Sequence, residues 1–139
     1  MTTAEELFDL LPLESAMAEL RVAQPNPLAV GIDLDAADPT TRALLLLYLD
    51  DLDQAHELVQ KDSTLIGCWI HAIIHRREGD YFNSLYWYAR CAQHPLLQTL
   101  PIAPQAFVDR LTEGEQSQEL IDAQRAEWKA IYDFVEGHL

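Results

Sequence analysis

Residues 71–95 read HAIIHRREGDYFNSLYWYARCAQHP, and their reading decides the fold. Ile66, Trp69, Ile70, Ile73 and Ile74 recur at helical spacing, which predicts a helix from Leu65 to about Glu78. Gly79 is placed to end it in the left-handed conformation, and Asp80 to start the next by accepting from the Asn83 N–H. Tyr81, Leu85, Tyr88 and Ala92 share one side of that second helix, with Phe82, Tyr86 and Ala89 beside them, before Pro95 ends it. So wide an apolar face predicts a helix sandwiched between neighbours. The stretch is therefore a helical hairpin. It also holds three of the chain's five histidines and three of its nine basic residues.

Upstream, Asp62-Ser63-Thr64 caps the first of these helices, and Leu52, Ala55, His56 and Val59 form one face of a shorter one. Glu57 and Lys61 make a solvated pair on its surface. Asp38-Pro39 starts a helix whose leucines at positions 44–47 run all round it, so it should be buried on most sides. Nearer the N-terminus, Thr3 and Glu6 have capping-box spacing, followed by Leu7, Leu10 and Leu11 on one face. Leu13, Ala16, Met17 and Leu20 offer a second stripe after Pro12, and Pro25-Asn26-Pro27 opens a loop that runs to Ala37. Downstream, Leu96 to Pro104 is a turn-rich connection and Ala106 to Leu111 one or two helical turns. Gln116 to Val135 is a long amphipathic helix, with Leu120, Trp128, Ile131, Tyr132, Phe134 and Val135 inward and Glu119, Asp122, Arg125 and Lys129 outward.

No stretch alternates like a strand. The expectation is an all-α, single-domain helical bundle of six or seven helices. Residues 1–37 form an N-terminal helical arm and loop, 38–96 the core hairpins, and 97–139 a connection and the long C-terminal helix.

A chain of 139 residues, nearly half hydrophobic, can bury a core without metal or disulfide staples. Its net charge of −14 argues against nucleic acid and anionic membranes as partners. Cys68 and Cys91 sit inside apolar helical patterns and read as reduced packing residues. The longest apolar run, Ala43 to Leu49, is too short to span a bilayer, and no leader-like segment opens the sequence. Both features lead to the expectation of a cytoplasmic protein.

From Gly79 onward the spacing of Gly79, Ser84, Tyr88, Cys91 and Pro95 resembles the second half of a tetratricopeptide repeat, with the proline one residue early. Its small residues imply close helix approach within a tetratricopeptide-like helix-turn-helix core. Ala55 and Ser84 stand closer together than the roughly 34 residues of a true repeat, so no array is implied. A longer string is His71, His75, Arg76, Arg77, Glu78, Asp80, Tyr81, Asn83, Tyr86, Trp87 and Arg90, then His94-Pro95, with Leu52, Asp53 and His56 upstream. It resembles the hallmark of an uncharacterised family of small bacterial and fungal proteins, departing at Ser84 and Tyr88, where alanine and phenylalanine are expected. That resemblance implies no activity. It implies only that these residues belong together.

On a helical wheel His71, His75 and Glu78 fall in one narrow sector beside Ile74, and His56 points inward from the preceding helix towards them. Three chemistries compete for this cluster. His71 and His75 are metal-ligand candidates four residues apart, with Glu78 or His56 as third ligand, although Ala72 stands where metalloprotease helices carry glutamate. Arg76, Arg77 and Arg90, with Tyr86, Tyr81 and Trp87 nearby, could take a small anionic or aromatic ligand. In that pocket His71 or His75, oriented by Glu78, would be the acid or base of a small hydrolase or lyase, should chemistry occur. Against both stands a buried His-Arg-Glu network that only pins two helices, with Arg76 pairing Asp80 and Arg90 bridging to Glu78 or Asp80. The leading expectation is a binding or interaction module whose site comprises His56, His71, His75, Arg76, Arg77, Glu78, Arg90 and Tyr86. Trp87 and Tyr86, if exposed, would instead line a groove for a protein partner.

Overall fold

The computed structural model describes residues 1–138. They are all-α, with eight helices and one 3-10 segment: α1 Ala4–Leu10, α2 Leu28–Gly31, α3 Pro39–Tyr48, α4 Leu52–Val59, α5 Leu65–Arg77, α6 Tyr81–Arg90, the 3-10 turn Pro95–Thr99, α7 Pro104–Thr112 and α8 Gln118–Glu136. Among them there is no strand, only an isolated bridge between Thr2 and Leu34. No helix of the described residues is long and apolar enough to cross a membrane.

Helix starts follow side-chain chemistry. Thr3 and Glu6 complete a capping box, and Asp38, Asp51, Thr64, Asp80 and Ser117 each accept from the backbone N–H of the third residue of their helix. Gly79 (φ 86°) stops α5 in the left-handed region, and α6 begins two residues later. Ser84, small and fully buried, lets the two helices close to the point where its hydroxyl donates to the Ala72 carbonyl at 2.7 Å. Ala43 through Tyr48 of α3 are all buried, with α4, α5 and α8 packed around them.

Residues 13–20 correct the expectation of a second helix. Met17 takes a left-handed φ of 49° and the segment runs in turns, yet Ala16, Met17 and Leu20 are buried. A non-helical segment pressed into a core must find other partners for its carbonyls. Here Arg125 Nε donates to Ala16 O at 2.8 Å, Gln124 Nε2 to Met17 O and Glu19 O at 3.0 and 3.1 Å, and Arg77 to Glu19 O at 3.0 Å. Long-range side chains do the work of the missing helix. The loop to Ala37 also contains a short helix, α2.

Two further expectations change. α6 packs against α5 and α7, but its covered face is narrower than expected: Ser84 and Tyr88 are buried, while Phe82 is 83 % exposed and Ala89 and Ala92 lie at the surface. Around α8, Phe134 faces solvent while Gln124 and Glu127 are buried. Leu10 of α1 likewise faces solvent, leaving Leu7 to anchor that helix.

Candidate functional site

His56 is on α4, and His71 and His75 are one turn apart on α5. The α4–α5 packing brings them together. His56 Nε2 lies 3.0 Å from His71 Nε2, with the rings nearly perpendicular. His71 and His75 stack at 4.9 Å between centroids, and one ring nitrogen from each of the three histidines lies within 4.8 Å of the others. His75 Nδ1 is 2.5 Å from Glu78 Oε1 and 3.8 Å from Asp80 Oδ2. The indole of Trp87 covers the other side of His71, stacked at 3.9 Å with a 12° interplanar angle.

Burial sorts these rings. His71 is 4 % exposed, and its Nδ1 is sealed without a hydrogen-bond partner. Burial first, then the neighbouring His56 and His75, push its pKa down to about 4, so it is neutral at physiological pH. His56 and His75 reach solvent in a shallow groove of about 430 Å³ that they share with Asp53, Glu57 and Glu78. The groove wall carries carboxylates and imidazoles but no arginine or lysine.

The arginines expected in this site are elsewhere. Arg76 is 1 % exposed and directed into the core, where it donates to Glu127 at 2.7 Å, Tyr88 at 2.8 Å and Gln124 at 3.3 Å. Arg77 is fully buried on another side of α5, donating to Asp50 at 2.7 Å and to the Leu47 and Glu19 carbonyls. Adjacent residues on a helix point roughly 100° apart, and both of these found acids or carbonyls before any ligand could. Asp80 accepts from Asn83 Nδ2 at 2.7 Å instead of pairing with Arg76. Arg90 makes no bridge to Glu78 or Asp80 and lies over Trp87 at 5.3 Å and Tyr86 at 5.8 Å, on the outer surface of α6. The anion patch is thus dispersed: of its three arginines, two are structural and one is outside the groove. Tyr86 is half exposed, bonded to Arg90, and touches the site only through Trp87.

Two contributors escape a reading of the sequence. Glu57 lines the groove one turn beyond Asp53, a signal masked by the apparent Glu57–Lys61 pair. Glu127 lies 51 residues beyond Arg76, with nothing local to connect them. Comparison of the chain with family models, curated proteins and solved structures finds no match.

Proposed function

We propose that this protein is a metal-binding module, its site the three imidazoles of His56, His71 and His75 and its cargo a divalent transition cation of the zinc type. The convergence of three ring nitrogens from two helices within 4.8 Å carries the reading. Zinc–imidazole bonds of about 2.0–2.1 Å set neighbouring donor atoms of a tetrahedron roughly 3.3 Å apart, close to the 3.0 Å between His56 and His71. Neutral imidazole suits zinc, copper or nickel over magnesium or calcium. Glu78 supplies the outer carboxylate: by accepting from His75 Nδ1–H it leaves the lone pair on Nε2 and strengthens that donor. The acidic wall of Asp53, Glu57 and Glu78 favours entry of a cation and disfavours the small anionic ligand that three clustered arginines would have recruited. The hallmark string fits this reading at His56, His71, His75 and Glu78, while Arg76 and Arg77 serve the core and His94 caps the 3-10 turn.

A zinc-type ion held by His56, His71 and His75 would have fewer protein ligands than a closed structural site, and the chemistry it could supply is activation of water for hydrolysis. A second, metal-free reading rests on the 2.5 Å His75–Glu78 contact alone. A carboxylate-oriented imidazole with 13 % side-chain exposure at a groove can act as acid or base in a small hydrolase or lyase.

Titration calorimetry of chelator-stripped protein with Zn2+, repeated on His56→Ala and His75→Ala, tests the proposal. One equivalent bound by the natural protein and loss of binding in both folded variants support it. Absence of stoichiometric Zn2+, Cu2+ and Ni2+ binding overturns it and leaves the acid–base reading.

A further inference from the structure

From Tyr81 to Val108 the chain carries no aspartate or glutamate, the longest such span in a sequence that holds 23 of them. Helix α6 opens this span, and its outer face is open to solvent. Phe82 is 83 % exposed and Tyr86 50 %, with Arg90 exposed beside them. The three stand four residues apart, so they form one inclined ridge along the helix. Among the described residues Arg90 has no carboxylate partner. Its guanidinium bonds the Tyr86 hydroxyl at 3.4 Å and lies over the Tyr86 and Trp87 rings on the same surface.

Exposed rings beside an unpaired guanidinium are the composition of a protein contact rather than of a solvated helix face. Charge and register together name the occupant. Two copies of a chain with net charge −14 repel wherever acid meets acid, and the α6 face is where they meet without it. The ridge reads ring, ring, guanidinium, and it is complementary to its own reverse. A two-fold axis at Tyr86 sets Phe82 of each copy against Arg90 of the other, with the two Tyr86 rings between them. Helices crossing at about 50°, the class in which i±4n ridges interdigitate, run two such ridges side by side. A guanidinium on an aromatic face is attractive without an opposite charge, so the pairing needs no acid from either copy.

We infer that α6 is the contact of a homodimer, two copies packed antiparallel through Phe82, Tyr86 and Arg90. The reading is independent of the proposal for the histidines, whose rings are carried by α4 and α5.

Three side chains from each copy make a small interface, so the dimer is weak and sedimentation equilibrium of the full chain is run up to ~1 mM. Salt of about 0.15 M screens the acidic surfaces beyond about 8 Å. The expected result is a reversible monomer–dimer equilibrium. Phe82→Arg, which sets like charges opposite each other, should weaken it roughly tenfold or more. Adding Arg90→Phe to that variant exchanges the two positions, restores ring against guanidinium, and should recover the dimer to within about threefold. A chain that stays monomeric throughout overturns the inference and leaves the ridge to a different protein. So does a dimer that Phe82→Arg leaves intact, or one that the exchange fails to rescue. Should the variants unfold, concentration-dependent NMR shifts of the natural chain decide: confined to the outer face of α6 they support the contact, and centred elsewhere they overturn it.

Discussion

The Arg76 guanidinium lies 2.7 Å from the Glu127 carboxylate, and both side chains are closed off from solvent. Trp69 Nε1 and the Tyr88 hydroxyl also donate to Glu127, at 2.7 and 2.6 Å, so one carboxylate on α8 takes donors from both α5 and α6. Burying an ion pair is not in itself strongly stabilising, but removing one partner strands the other charge in the core. Glu127→Ala is expected to cost about 3–5 kcal/mol in urea unfolding. The paired replacement Arg76→Met/Glu127→Leu, which leaves no orphan charge, should cost markedly less. A double-mutant cycle whose coupling falls within about 0.5 kcal/mol of zero would sink the idea that this pair locks the C-terminal helix to the hairpin.

The buried His71 predicts an acid-sensitive fold. Its native pKa of about 4 lies below the ordinary 6.5, so between these values the unfolded chain binds a proton that the native chain refuses. Stability contributed by the neutral ring is complete above pH 6.5 and lost as pH falls towards 4, at a cost of order 2 kcal/mol after allowing for relaxation. His94, also lowered by burial, adds in the same direction. Relief of acidic self-repulsion works oppositely, so the informative quantity is the difference between the natural chain and His71→Gln, measured as unfolding free energy between pH 7 and 4.5 in metal-free buffer. The natural chain should lose more. Identical slopes would show that His71 titrates normally.

Glu78 separates ligand from support. If it orients His75 through the 2.5 Å contact, Glu78→Gln keeps three imidazoles but weakens the donor, and zinc affinity should fall roughly 10–100-fold with stoichiometry unchanged. His75→Ala should abolish binding. At a hundredfold excess over Kd, zinc should stabilise the natural chain by about 2.7 kcal/mol, visible as a higher Tm. A zinc-induced Tm rise preserved in His75→Ala would place the cation elsewhere.

The hairpin and the imidazole row were legible because both are local. Helix period, the Asp80 cap and the i,i+4 spacing of His71 and His75 are carried by neighbouring residues. The side on which Arg76 and Arg77 emerge was as readable as the histidines, but their partners were not. Glu127 and the Glu19 carbonyl come from distant segments, and a basic run reads the same whether it meets a ligand or the protein's own acids. Residues 13–20 failed for a related reason. Their apolar spacing suits a helix, and tertiary bonds from Gln124, Arg125 and Arg77 stabilise the turns that form instead. Leu10 and Phe134 mark the limit of periodicity: it identifies a face but not how far the neighbouring elements extend to cover it.

The turn between α5 and α6 can be tested at Gly79, whose φ of 86° disfavours any residue with a Cβ. An added Cβ would stand 2.6 Å from Arg21 Nε, so the arginine folded over this turn must also move. Arg21 is a flexible side chain, so the backbone term dominates, and Gly79→Ala should cost about 1–2 kcal/mol. Asn, which tolerates the left-handed region better, should cost less than Ala despite its larger side chain. Since His75, in α5, and Glu78, its C-cap, both precede the turn, zinc stoichiometry should survive in both variants while the melting temperature drops. If Gly79→Ala proves neutral in urea and Tm, the turn is not held in its left-handed form by this residue. Loss of zinc binding in a folded Gly79→Ala protein would show instead that the turn sets the position of Glu78 against His75.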